Sequence, residues 1–255
     1  MNNKSLTEIR TSLSEGKVSL GSWIQIPNTS VAEIMGSAGY EWLAVDMEHG
    51  SISSSTLPDL FRAIEISGTI PLVRVAVAKE KDCRLALDAG ASGVILPMIK
   101  SAIQLEEVVD FCSWPPTGSR GVGFSRANLY GKRFDSYYEF AQSPLVIAMI
   151  ENIEAAENIE SILKVRGLDA IFIGPYDLSA SMGITGDFNN KEFKRVKEDI
   201  ISSCKSNSIA CGIHQVNPEP KELNLRIQEG FTFIAYSLDS VFLLEKSKNP
   251  LNIKP

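Results

Sequence analysis

The chain has 255 residues, 44% of them apolar and 22% charged, a balance that excludes a disordered or fibrous protein. Its 25 lysines and arginines against 31 aspartates and glutamates leave a net charge of −6, so a nucleic acid would meet general repulsion and no such partner is expected. No stretch approaches the roughly 18 consecutive apolar residues of a membrane-spanning helix; the best, Val94 to Ile99, is short and contains Pro97.

In chain order, the polar opening MNNKSLTEIR carries no apolar segment of signal-peptide length. Cys83, Cys112, Cys204 and Cys211 lack C-x-x-C spacing, and a chain of this length can bury a core without disulfides. A reduced, cytoplasmic protein without membrane association is therefore expected. Short apolar or β-branched runs follow at intervals: SLGSWIQI, EWLAVD, IPLVRV, SGVILPM, PLVIAMI, DAIFIG, IACGI and FTFIAYS. Between them lie stretches with helical apolar spacing, among them Ser30 to Ala38, Thr56 to Ser67, Lys79 to Ala89, Ile103 to Cys112 and Glu154 to Ile162. Strand–helix alternation argues a parallel sheet. Most of the runs are apolar at nearly every position, as when both faces are covered, and eight units in about 250 residues fit a closed barrel. The predicted architecture is α/β, a (β/α)8 TIM barrel forming a single domain over 1–255. Gly39, Gly90, Gly167 and Gly230 mark helix ends just before strands. One irregular stretch, Ser113 to Arg133, breaks the pattern and carries Arg120, Arg126, Lys132 and Arg133; an anionic ligand, a subunit contact and a solvated loop all fit it.

Barrels of this kind place their chemistry at the C-terminal ends of the strands. The residues expected there are Asp46, Glu48 and His49 after the second strand, Arg74 at the end of the third, Glu151 after the fifth, Asp177 beyond the sixth and His214 after the seventh. Glu151 and Asp177 lie one strand–helix unit apart, so adjacent strands would present two oxygen ligands to a hard divalent cation; rim carboxylates paired with arginine are the other reading. Asp177 follows the Gly174-Pro175 turn, where it could cap a short helix, the reading its position favours, or leave the helix-start N–H groups to an anion. Asp46 and His49 are spaced so that a sharp turn would bring the carboxylate to the imidazole and make it a general base, though a structural histidine has the same spacing. Arg74 would enter an anionic pocket or pair with Asp46 or Glu151. His214 is expected as a rim contact.

The segments VDMEHG, PLVRV, VILPMI, PPTGSRGVG, MIENIEAAENI and DAIFIGPYDLSASMG, in this order and spacing, resemble the HpcH/HpaI aldolase family from about Gly21 to Leu243. The resemblance implies a metal-dependent pyruvate aldolase on the phosphoenolpyruvate/pyruvate type of barrel, cleaving a 4-hydroxy-2-oxo acid, sugar-derived or a dicarboxylate, to pyruvate and an aldehyde. It implies Glu151 and Asp177 as ligands of Mg²⁺, Mn²⁺ or Co²⁺, His49 as acid/base, Arg74 as stabiliser of the enolate oxygen, Asp46 as the partner that orients His49, and Asp88 as a further support of the histidine across a subunit boundary. It further implies substrate contacts from Gly174, Pro175, Tyr176, Trp23 and Ser125, and a homo-oligomer, a hexamer or trimer of dimers exchanging a C-terminal helix such as Ser240 to Lys246. One departure is Met149, where the family usually has glutamine. His214 and Tyr236-Ser237 match no fixed family residue and are expected to tune the aldehyde end. The alternatives are a Schiff-base aldolase using Lys100, an acyl-CoA lyase of the citrate lyase beta or malyl-CoA type, and a barrel that binds an oxo acid without turnover.

Overall fold

The computed structural model describes residues 6–249 and 251. Eight parallel strands, β1 (Ser19–Ile24), β2 (Trp42–Asp46), β3 (Ile70–Arg74), β4 (Gly93–Leu96), β5 (Leu145–Ile150), β6 (Ala170–Ile173), β7 (Ala210–Gln215) and β8 (Phe233–Leu238), pair in sequence order, and β8 returns to β1. Each expected apolar run coincides with one of these strands, β7 and β8 extending past the ends of their runs to Gln215 and Leu238, and helices connect them. The fold is a (β/α)8 TIM barrel.

Strand residues alternate between two cores because successive side chains point to opposite faces. Leu43, Val45, Val73 and Val94 face outward and pack under helices with Phe61, Leu87 and Leu105. Trp42, Ala44, Leu72, Ile147, Phe172 and Phe233 fill the barrel, with Trp42 and Phe233 stacked 4.4 Å apart. Continuing the inward parity past the apolar part of each strand brings Asp46, Arg74, Glu151, Gly174 and His214 to the mouth.

The opposite end is closed by the helix Leu6–Ser14, which strand–helix spacing does not anticipate. Its Leu6, Ile9 and Leu13 join the inner core. Arg10 pins it there, reaching Asp169 at 2.6 Å and the carbonyls of Ser143 and Pro144, all just ahead of β5 and β6. The long loop also belongs to this lower end. Arg126 donates to the Ala89 carbonyl (3.0 Å) and pairs with Glu65, both at the C-terminal ends of helices that lead down from the mouth. Arg120 is 1% exposed, with its guanidinium against Trp114 and Tyr137. Arg126 is thus paired within the chain, while Arg120 gives one hydrogen bond, Nη2 to the Tyr137 hydroxyl (3.1 Å), and keeps Nε and Nη1 buried without partners. All four cysteines are buried free thiols, and among the described residues no helix is long and apolar enough to cross a membrane.

Candidate active site at the barrel mouth

The β2–β3 register pairs Asp46 directly with Arg74, and both side chains point inward. Their contact is bidentate, Arg74 Nη2 and Nε donating to the two carboxylate oxygens at 2.7 and 2.9 Å. Asp46 also accepts from Gln25 Nε2 (2.9 Å) and from the backbone N–H groups of Glu48 and His49 (3.1 and 3.3 Å). Burial alone would raise the pKa of Asp46, but the Arg74 guanidinium and these donors hold it below the ordinary carboxylate range. The guanidinium is fixed along one edge, lies 4.6 Å over the Trp23 ring, and turns Nη1 toward Glu48 (3.2 Å) and the Met149 sulfur (3.9 Å).

Glu151, 2% exposed, follows the all-buried strand β5. Its Oε1 accepts from the Met98 N–H at 2.7 Å, a donor aimed by a left-handed Met98 backbone (φ 55°). Its Oε2 lies against Gly174, where a Cβ would stand 2.6 Å from that oxygen. Burial pushes Glu151 up to about 7; the Glu48 and Asp177 carboxylates add to the rise, and the Met98 N–H and Arg74 oppose it. Burial also raises Glu48, with Arg74 opposing, and Glu48 Oε2 is buried without a hydrogen bond. Three carboxylates therefore act on one another beside a single guanidinium already committed to Asp46. Hard oxygen donors with excess negative charge fit a divalent cation. Among the described residues no group of three or more His, Cys, Asp or Glu side chains is placed to hold a metal ion, so a cation at this mouth would rest on at most two such side chains, with its other positions open.

The other side of the mouth is formed by Trp23 of β1, His214 of β7 and Met149 of β5. His214 lies inside the mouth, its ring 5.5 Å from Trp23 and its Nε2 3.2 Å from the Ser237 carbonyl; the expected rim position is corrected. The β7 run is apolar up to Ile213, and inward parity carries the next residue into the barrel. Burial, with Arg74 adding to it, lowers the His214 pKa to about 4, so the imidazole is neutral at pH 7.

Several expectations change. His49 is exposed on the rim, and Asp46 binds its backbone N–H while Arg74 and Gln25 occupy the carboxylate, so Asp46 shapes the turn without orienting the imidazole. Asp177 is not a helix cap: Gly174 takes that position in the helix Pro175–Ser181, and Asp177 stands exposed in its first turn. Pro175 and Tyr176 lie beside it, and Tyr176 is exposed. Asp88 ends the helix Glu80–Asp88 at the lower end of the barrel, within the influence of Arg120 and Arg84, and Ser125 lies in the long loop at that same end, so neither meets the mouth of its own chain. Lys100 pairs with Glu154 (3.7 Å) on the outer rim, its side chain 44% exposed, which removes the expected Schiff-base position. Sequence reasoning placed Glu48 at the mouth without giving it a role and passed over Gln25. The first stood in plain view within VDMEHG; the second carries no local signal, since only barrel closure brings it to Asp46.

Known proteins resemble this chain over most of its length. The family profile described as HpcH/HpaI aldolase/citrate lyase matches residues 19–245. The chain is 33% identical over 247 residues to a hydroxypyruvate/pyruvate aldolase of Roseobacter denitrificans, covering 96% of this chain and 95% of that one. It is 34% identical over 236 residues to a 2-keto-3-deoxy-L-rhamnonate aldolase of Salmonella gallinarum, covering 91% and 87%. A crystal structure of an HpcH/HpaI aldolase/citrate lyase family protein from Burkholderia cenocepacia superposes with a TM-score of 0.88 at 29% identity, covering 94% and 95% of the two chains.

Proposed function

The chain belongs to the HpcH/HpaI aldolase/citrate lyase family and is an aldolase of the lyase class, and we propose that it acts as a divalent-metal-dependent pyruvate-type aldolase, cleaving a 4-hydroxy-2-oxo acid to a 2-oxo acid and an aldehyde. One observation carries this reading: Arg74 is locked by Asp46 beside the mutually repelling carboxylates of Glu48, Glu151 and Asp177 at the open end of the barrel.

Glu151 and Asp177 are the residues that would hold Mg²⁺, Mn²⁺ or Co²⁺, and the cation, when bound, would stabilise the negative charge that develops on the keto oxygen. Arg74 offers Nη1–H to that same oxygen and is prevented from swinging away by its two bonds to Asp46. The backbone N–H groups of Tyr176 and Asp177 receive the substrate carboxylate after the Gly174-Pro175 turn. His49, on the solvent side, accepts the proton of the C4 hydroxyl. The C3–C4 bond then breaks, the aldehyde leaves with its new carbonyl, and the electron pair remains on the oxo acid as its enolate, which takes a proton at C3. Asp88 and Ser125 can serve such a site only on a neighbouring copy, in keeping with a homo-oligomer.

The test is release of a 2-oxo acid from a panel of sugar-derived and aromatic-catabolite 4-hydroxy-2-oxo acids, before and after exhaustive chelation. Chelation should lower the rate at least about 100-fold, and Mg²⁺, Mn²⁺ or Co²⁺ should restore it. An unchanged rate after chelation overturns metal dependence, and no oxo-acid release from any member overturns the aldolase reading.

A further inference from the structure

Resting on the aldolase reading, we propose that His214 selects the oxo-acid half of the substrate: its Nδ1 accepts a hydrogen bond from a hydroxyl on the carbon next to the keto group, favouring hydroxypyruvate-type oxo acids over pyruvate. The expectation that β7 and β8 tune the aldehyde end is thereby replaced for His214.

The structure builds this acceptor in three steps. First, β7 alternation carries His214 inward from Gly212, on the same face as Trp23 and Met149, below the exposed rim that holds His49. Second, the tautomer is set. Nε2 lies 3.2 Å from the Ser237 carbonyl, and a carbonyl can only accept, so Nε2 carries the hydrogen and Nδ1 keeps its lone pair. Ser237 is itself firmly anchored, since its backbone is left-handed (φ 54°), its Oγ donates to the Val216 carbonyl (2.8 Å), and its carbonyl also accepts from Ser22 Oγ (3.1 Å). A non-glycine residue in that conformation is strained unless its surroundings hold it there. Third, Nδ1 shows no hydrogen bond among the described residues, and in the adjacent ring the Trp23 Nε1–H is buried without a partner. An acceptor on one ring and a donor on its neighbour, the ring centres 5.5 Å apart, on a floor shared with Met149 and Phe172, would match the two-way hydrogen bonding of a hydroxyl and repel a carboxylate at Nδ1.

The substrate pose gives that hydroxyl its place. With the carboxylate placed at the helix start after β6 and the keto oxygen at Arg74 of β3, the third carbon would extend toward the β7–β1 side, where His214 and Trp23 lie. Pyruvate brings only hydrogens there and leaves both bonds unmade.

The experiment compares kcat/KM for hydroxypyruvate and for pyruvate as nucleophile toward one fixed aldehyde, in the parent enzyme, His214→Leu, His214→Asn and Trp23→Phe. The hydroxypyruvate-to-pyruvate ratio should fall about tenfold in His214→Leu. His214→Asn, whose Oδ1 stands near the Nδ1 position, should recover part of it, and Trp23→Phe, which removes the indole N–H together with the larger ring while keeping an aromatic face toward Arg74, should lower it several-fold even where the leucine variant folds poorly. A ratio within twofold of the parent in both His214→Leu and Trp23→Phe overturns the proposal, as does a change in aldehyde preference at constant oxo acid with the ratio unmoved. A parent enzyme that condenses neither oxo acid overturns the aldolase reading, and the proposal with it.

Discussion

At the scale of single residues, the chemistry of the mouth is decided by which donor reaches which acceptor. Asp46 offers about four lone-pair sites as a carboxylate, and five donors crowd onto them, two from Arg74, one from Gln25 and two from backbone N–H groups. It has nothing left for the His49 imidazole. His214 shows how burial becomes a stability effect. Its pKa is about 4 in the folded protein and about 6.5 in an unfolded chain. Between these values the unfolded state binds the proton and the folded state does not, so stability falls as pH drops from about 6.5 to about 4 and falls no further below that. The loss attributable to this group is on the order of 3 kcal/mol. It should appear in denaturant midpoints between pH 7 and pH 4 as a steeper decline for the parent than for His214→Leu, and parallel curves would refute it. The carboxylates and the arginine were legible in the sequence as residue types at strand ends. Their partners were not, because hydrogen-bond choice among five polar groups depends on ångström positions that spacing does not encode.

At the scale of elements, strand register decides the site. The β5–β6 register sets Ile150 beside Ile173, so the next residues, Glu151 and Gly174, meet at the mouth. Gly174 is needed there because any Cβ would lie 2.6 Å from Glu151 Oε2 and 2.8 Å from Glu151 Cβ. Gly174→Ala should therefore displace the Glu151 carboxylate. The expected result is a loss of kcat/KM of about 100-fold or more with a shift in Tm of only a few degrees, read by pairing the oxo-acid assay with thermal melting. A variant that loses stability and keeps activity would contradict it. The strands were readable because their apolar runs are continuous, which is what burial on both faces produces. The helix Leu6–Ser14 was missed because it precedes the first strand, outside the alternation that guided the reading, although Leu6, Ile9 and Leu13 are spaced for one buried face. The long loop was recognised as irregular but given no end of the barrel, since its anchor points, Glu65 and Ala89, lie in other units.

At the scale of the molecule, a closed barrel separates two rims that a linear reading mixes. Asp88 and Ser125 occupy the lower end and His49, Arg74, Glu151 and Asp177 the mouth. If Asp88 serves a neighbour's site, two inactive variants should repair one another. Co-expressed Asp88→Asn and Glu151→Gln chains, tagged differently and purified through both tags, should recover up to about a quarter of the parent activity, as random assembly predicts for a site shared between two copies. Recovery of none would confine Asp88 to a structural role in its own chain.

From the sequence alone came the barrel, the family and the list of polar residues at strand ends, because apolar periodicity and residue order are local properties that a linear string preserves. The tertiary structure alone decided that Asp46 clasps Arg74 and leaves His49 unpaired with it, that Glu48 joins Glu151 and Asp177, that His214 lies inside the mouth with its tautomer set, and that Asp88 and Ser125 belong to the other end. Each of these depends on bringing residues tens or hundreds of positions apart within a few ångströms, which only closure of the barrel accomplishes.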